Sequence, residues 1–165
     1  MNKVDKTAQS DQILRGKDHK LLPLTVDDIN ERYIGWLNDP LVNQFLEIRF
    51  VPQTYETVYD YVSSFYLGQQ KYIWAIYPKE SNDFIGPITL SQLNRHGSAT
   101  IGILIGEKEY WGKNASLEAM KLVIKFAFET LGLQRVTGGS YALNHGINFT
   151  FKRLGFRREG KLVKA

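Results

Sequence analysis

Residues 101–131 read IGILIGEKEYWGKNASLEAMKLVIKFAFETL, and this stretch decides the fold. Its first five residues are mostly apolar and β-branched, the pattern of a strand. Leu117, Met120, Ile124, Phe128 and Leu131 then recur at helical spacing, which predicts a helix over about 114–131 with one apolar face. Gly132 is the expected stop. Between them lie residues 106–110 and the turn Trp111-Gly112-Lys113-Asn114-Ala115-Ser116. A strand feeding a turn that opens a helix leaves the first helical N–H groups unpaired, at the positive end of the helix dipole. Pyrophosphate binds well at such a place. Gly112 permits close backbone approach, Lys113 adds charge, and Asn114 tolerates left-handed backbone angles. Ala115 and Ser116 are too small to block a ligand. An ordinary capped helix reads the same way, so the turn alone leaves both readings open. It is neither a P-loop nor the dinucleotide G-x-G-x-x-G motif.

Upstream, residues 72–77, 84–93 and 99–105 read as strands joined by polar turns, hence an antiparallel meander. Gly86-Pro87 inside the second strand predicts a bulge or an edge. Residues 20–24 read as a short edge strand. Thr25, with Asp28 three residues on, starts a helix expected to reach about Leu37 and stop at Asn38-Asp39-Pro40. Residues 41–46 suggest a short helical turn. Thr54 opens another helix that carries Val58, Tyr61, Val62 and Phe65 and closes at Gly68. Residues 1–16 read as a flexible leader, and 17–165 as a single domain. Downstream, 134–141 reads as a strand, 144–153 as a helix and 156–163 as a last strand. Asn144 is placed to cap that helix and Gly155 to end it.

Bulk composition narrows the functional classes. The chain has 165 residues and no cysteine, which excludes disulfides, thiolate metal sites and a cysteine nucleophile. No metal site is expected. No apolar run approaches the ~20 residues of a membrane span, and residues 1–20 lack the apolar core of a secretory signal. Cytoplasm is therefore the default compartment. The net charge of +4 suits a phosphorylated ligand, but the basic residues are scattered apart from Lys152, Arg153, Arg157 and Arg158. Nucleic-acid binding has no run of basic and stacking residues to support it.

Taken together these segments resemble the GNAT superfamily of acyl-CoA N-acyltransferases, and within it the branch of ribosomal-protein alanine (Rim-type) N-acetyltransferases. The carriers are Trp36-Leu37-Asn38-Asp39-Pro40, Phe84-Ile85-Gly86, Ile101-Gly102-Ile103, Tyr110-Trp111-Gly112-Lys113, Glu118-Ala119, and Asn144 through Leu154-Gly155-Phe156. The resemblance implies an α/β (α+β) fold, a mixed, mostly antiparallel twisted sheet with helices on both faces. It implies acetyl-CoA as co-substrate, with its pantetheine arm on the backbone of Ile103, Leu104 and Ile105. Its pyrophosphate would lie in the turn of Trp111, Gly112, Lys113, Asn114, Ala115 and Ser116. Asn144 and Phe151 would line the cofactor near its acyl end. The implied reaction is direct attack of a neutral amine on the thioester, within a complex that aligns both partners.

The chain departs from the family pattern at several places. The family turn usually reads R/Q-x-x-G-x-G/A, where this chain has Trp111, Asn114 and Ser116. A Ser three residues after the capping Asn, or a Tyr four residues before the last glycine, often protonates the leaving thiolate. Those positions hold Ile147 and Phe151, which cannot donate a proton. Tyr141 and Asn148 are the nearest substitutes, and solvent is a third. Glu47 is the candidate base, against a surface salt bridge with Arg49 as the alternative. His96 and His145 read as a solvated turn residue and a capping neighbour. The family also finishes with a further strand between those expected at 134–141 and 156–163; the sequence ends at Ala165, which leaves a fragment, a natural truncation or a last strand that pairs differently as the readings. An exposed edge, or a strand contact with a second copy in a homodimer, is thus expected near 135–141. The acceptor is expected to be a small-molecule or peptide amine. An amino sugar on a nucleotide carrier and a protein N-terminus are the two forms considered. The competing expectation is a CoA-binding or assembly protein of the same fold with impaired catalysis.

Overall fold

Tyr72-Ile73-Trp74-Ala75-Ile76 is a strand whose alternate side chains point to opposite faces of a sheet. Trp74 and Ile76 join one core, and Ile73 and Ala75 join the other. The computed structural model describes residues 12–67 and 71–163. Six strands form one sheet in sequence order: β1 (Leu14–Arg15), β2 (His19–Pro23), β3 (Tyr72–Pro78), β4 (Gly86–Ser91), β5 (Ser98–Ile103) and β6 (Arg135–Thr137). The first five pair antiparallel, and β5 and β6 pair in parallel. Helix α4 (Ala115–Lys125) covers one face through Ala115, Ala119, Met120 and Val123. Helices α1 (Glu31–Asn38), α2 (Pro40–Asn43) and α3 (Tyr55–Ser63) cover the other. Helix α5 (His145–Arg153) lies beside α4. The mixed sheet with helices on both faces is the architecture the resemblance implies.

Several elements differ from expectation for local reasons. The segment from Thr25 is not one helix. Thr25 and Asp28 close a capping box around a single 3-10 turn, and Asn30 then caps α1 by accepting from Tyr33 N–H at 2.9 Å. The strand at residues 20–24 is interior, because Leu14 and Arg15 add a further strand outside it. The helix at 114–131 is α-helical to Lys125 and continues as a π-turn over Phe126–Thr130, before Gly132 ends it at φ 65°. Gly68 lies outside the described residues.

At the other end of the sheet, β6 stops at Thr137 because Gly138 and Gly139 follow. Residues 156–163 form no strand. Arg157, Arg158 and Glu159 are exposed there, and Arg135 to Glu159 is the ion pair that reaches back to β6. β6 is therefore paired on one side only among the described residues.

One contact ties the first hairpin to α4. Glu118, in the first turn of α4, accepts from the N–H groups of Lys17 (2.5 Å) and Asp18 (3.0 Å), and its other oxygen lies 2.6 Å from His19 Nδ1. A Cβ at Gly16 would stand 2.3 Å from that carboxylate, so a side chain there would push Glu118 off these bonds. Burial pushes the Glu118 carboxyl up, but the bonds from His19, Asp18 and Lys17 outweigh it and hold it below its ordinary value. A depressed folded-state pKa gives stability that is present above the unfolded value and lost as pH falls through the folded one. Glu118→Gln is expected to cost about 1 kcal/mol near neutrality. Urea titrations from pH 7 downward should show the gap between wild type and variant closing below about pH 4.

Candidate active site

The site begins where β5 and β6 part. Their register runs Ser98↔Arg135 to Thr100↔Thr137 and no further. The chain of β6 turns away at Gly138, where the Phe151 ring fills the space a Cβ would need (2.5 Å). On the other side β5 stays with β4: Leu104 N–H donates to Pro87 at 3.0 Å, and Gly106 and Glu107 both donate to the Ile85 carbonyl. Strand alternation then turns the main-chain groups of Ile103 and Ile105 toward the gap. Of the three residues expected to present backbone to a pantetheine arm, Leu104 has its N–H committed to β4. The Ile105 carbonyl accepts from Trp111 Nε1 at 2.8 Å. The free main-chain edge centres on Ile103.

The turn at 111–116 closes one end of this gap. Gly112 has φ 74° and open space where a Cβ would sit, so its glycine answers to backbone angle rather than to crowding. Asn114 has φ 62°, the left-handed angle that asparagine supports better than most residues. Its Oδ1 accepts from Arg153 Nη1 at 2.8 Å. The expected weak point of the turn is therefore braced from α5. No described residue accepts from the N–H groups of Ala115, Ser116 or Leu117. These donors, with the cations of Lys113 and Arg153 nearby, fit a pyrophosphate. Ser116 Oγ is 3.4 Å from the buried Thr150 Oγ1, which joins the first turn of α4 to α5.

The loop after β6 brings three distant residues together. The Tyr141 hydroxyl donates to Glu47 Oε1 and accepts from Arg49 Nη1 at 3.1 Å. Glu47 and Arg49 sit in a 3-10 turn, Glu47–Phe50, that follows α2. Asn148 holds Tyr141 from behind: its Nδ2 donates to the carbonyls of Tyr141 (3.0 Å) and Asn144 (2.8 Å), and Ser140 Oγ donates to its Oδ1 (2.8 Å). All its polar atoms are spent on the loop, so it positions Tyr141. Asn144 Oδ1 caps α5 at Ile147 N–H (3.3 Å), and its Nδ2 has no partner among the described residues. Phe151 packs against Phe156, centroids 4.8 Å apart and planes tilted by 53°, and walls the β6 exit.

Sequence reading missed Arg49 as more than a neighbour of Glu47, and missed the bridge from Arg153 to Asn114. Neither has a local signal, since their partners lie 92 and 39 residues away. Among the described residues no group of three or more His, Cys, Asp or Glu side chains could hold a metal. No helix there is long and apolar enough to cross a membrane.

The family described as acetyltransferase (GNAT) domain matches residues 20–157. The chain is 29% identical over 157 residues to the protein named Probable N-acetyltransferase YjcK of Bacillus subtilis, covering 90% of this chain and 85% of that one. It is 29% identical over 149 residues to the uncharacterized protein MJ1062 of Methanocaldococcus jannaschii, covering 88% of this chain but only 30% of that protein's length. The crystal structure of a domain from the same archaeon superposes with a TM-score of 0.75 at 26% identity, covering 90% of this chain and 94% of that one. With a family match over most of its length, and strands that part beside a turn of free N–H groups, the chain belongs to the GNAT acetyltransferase family.

Proposed function

We propose that this protein transfers an acetyl group from acetyl-CoA to a primary amine, carried by an amino sugar of a nucleotide-linked sugar or by a protein N-terminus. The observation that carries this reading is the gap between β5 and β6, with the Ile103 main chain along it and the N–H groups of Ala115, Ser116 and Leu117, which no described residue accepts from, at its end. Acetyl-CoA supplies the activated acyl group as a thioester. The rest is the work of this chain. The Ile103 edge aligns the arm, and the turn with Lys113 and Arg153 holds the phosphates. Glu47 takes the proton that the amine loses on acylation. Tyr141 gives a proton to the thiolate that leaves. The hydrogen bond from Tyr141 to Glu47 then lets the proton gained by the carboxylate restore the phenol, so the pair returns to its starting state.

Two measurements test the two halves of the site. Acetyl-CoA should raise the melting temperature of the wild-type protein. Gly112→Val forces a β-branched residue to φ 74° and should weaken binding roughly tenfold. Asn114→Gly keeps the left-handed angle at no cost and should bind at least as well as wild type. Unchanged binding by Gly112→Val would remove the turn from the cofactor site. Thiol release over a panel of amines reads the chemistry. Tyr141→Phe should lower kcat by about 10²-fold or more while acetyl-CoA still stabilises the variant. A wild-type protein that acetyl-CoA stabilises but from which none of the amines elicits thiol release would instead be a CoA-binding protein. The apolar Ile147 and Phe151 at the family's donor positions make that the second reading.

A further inference from the structure

Arg49 is held in a way that packing alone does not use. Its Nη1 donates to the Leu46 carbonyl at 2.9 Å and to the Tyr141 hydroxyl at 3.1 Å. The guanidinium carbon lies 4.2 Å from the centre of the Phe50 ring and 4.8 Å from that of Tyr141. Two rings and two acceptors fix its plane. Yet among the described residues no carboxylate lies within 4.0 Å of it, and Nε and Nη2 have no acceptor. A pinned guanidinium with unused donors is suited to a carboxylate or a phosphate, which match its planar fork.

Its surroundings have room for such a group. Arg49 lines a groove of about 690 Å³ together with Asn38, Asn43, Gln44, Phe50 and Val51. The Asn38 carboxamide is spent within the fold, on Ile34 and Gln53. Among the described residues Asn43 and Gln44 use only their amino groups, on the carbonyls of Leu37 and Leu41, which leaves their side-chain oxygens as acceptors. The groove thus offers a cation, two acceptors and the apolar Phe50 and Val51. Through Tyr141 it adjoins the Glu47–Tyr141 pair.

We infer that Arg49 binds an anionic group of the amine acceptor, a carboxylate or a phosphate, and so selects which amines are acetylated. This rests on the acetyl-transfer reading. The Asn43 and Gln44 oxygens take hydroxyl or amide donors of the same molecule.

Matched amines that differ only in the anion test this by acetyl-CoA-dependent thiol release. Glucosamine 6-phosphate against glucosamine, and phosphoethanolamine against ethanolamine, probe phosphate. β-Alanine against β-alaninamide probes carboxylate. In wild type the anionic member of the phosphate pairs or of the carboxylate pair should lead by roughly tenfold in kcat/KM, and whichever arm leads identifies the group. In Arg49→Gln that lead should vanish, and in Arg49→Lys it should persist in part, since the charge remains without the fork. The lead is a ratio within one protein, so a general loss of activity or folding does not imitate it. Turnover of both members without preference, or a preference kept intact by Arg49→Gln, overturns the role of Arg49 and leaves acetyl transfer standing. No thiol release with any amine overturns both.

Discussion

The carbonyl of Ile85 receives two N–H groups, from Gly106 at 2.8 Å and from Glu107 at 3.2 Å. That doubled acceptor is where the regular β4–β5 ladder gives way, and the site is arranged around it. A Cβ at Gly86 would stand 1.9 Å from the Leu104 carbonyl oxygen, so only glycine lets the two chains pass this closely. The tail of β5 is thereby pinned to β4 while β6 turns off at Gly138. Opening the sheet on one side requires holding it shut on the other. The main chain of Ile103 is left facing a gap because Leu104 and Gly106 are already engaged.

The same pinned segment organises both walls of the gap. A Cβ at Gly106 would lie 2.0 Å from the Trp36 ring, and Trp36 Nε1 and Arg32 Nε both donate to Glu107. Lys108 pairs with Asp39 at 2.6 Å, and Asp39 in turn caps α2. The Lys108 bond and the Leu41 N–H hold the Asp39 carboxyl below its ordinary value, so it stays ionised where the cap needs it. Trp36-Leu37-Asn38-Asp39-Pro40 is thus the joint between the helical layer and the segment that leads into the 111–116 turn. It places the Arg49 groove on one side of the gap and the 111–116 turn at its end.

What the sequence disclosed follows from this division. The strand, turn and helix over residues 101–131 were legible because each has a local cause: β-branched residues, a glycine at positive φ, and helical spacing of apolar side chains. Glu47 and Tyr141 were separately legible as candidates, but their contact was not, because they stand 94 positions apart with β3 to β6 between them. The strand expected at 156–163 shows the opposite limit. Phe156, Leu162 and Val163 suggest one, yet an apolar pattern makes a strand only where a neighbour offers a ladder, and β6 ends at Thr137. Asn114 reads in sequence as a poor substitute for glycine. In the fold its left-handed angle suits asparagine, and Arg153 supplies the brace that a glycine could not use.

Glu47 belongs to the helical layer, set by the turn after α2, whereas Tyr141 belongs to the loop between β6 and α5, set by Asn148 and Ser140. Neither layer alone holds a proton acceptor beside a proton donor. They meet because the sheet splays, which swings the β6–α5 loop to the side where the α2 turn lies. The gap that would admit a thioester and the pair that would handle its protons therefore have one structural origin. A change that closed the gap, such as a side chain at Gly138 displacing Phe151 toward β5, would also shift Tyr141 from Glu47. Under the proposed reading, the gap and the Glu47–Tyr141 pair are linked through the backbone of residues 138–144, even where no side chain touches both.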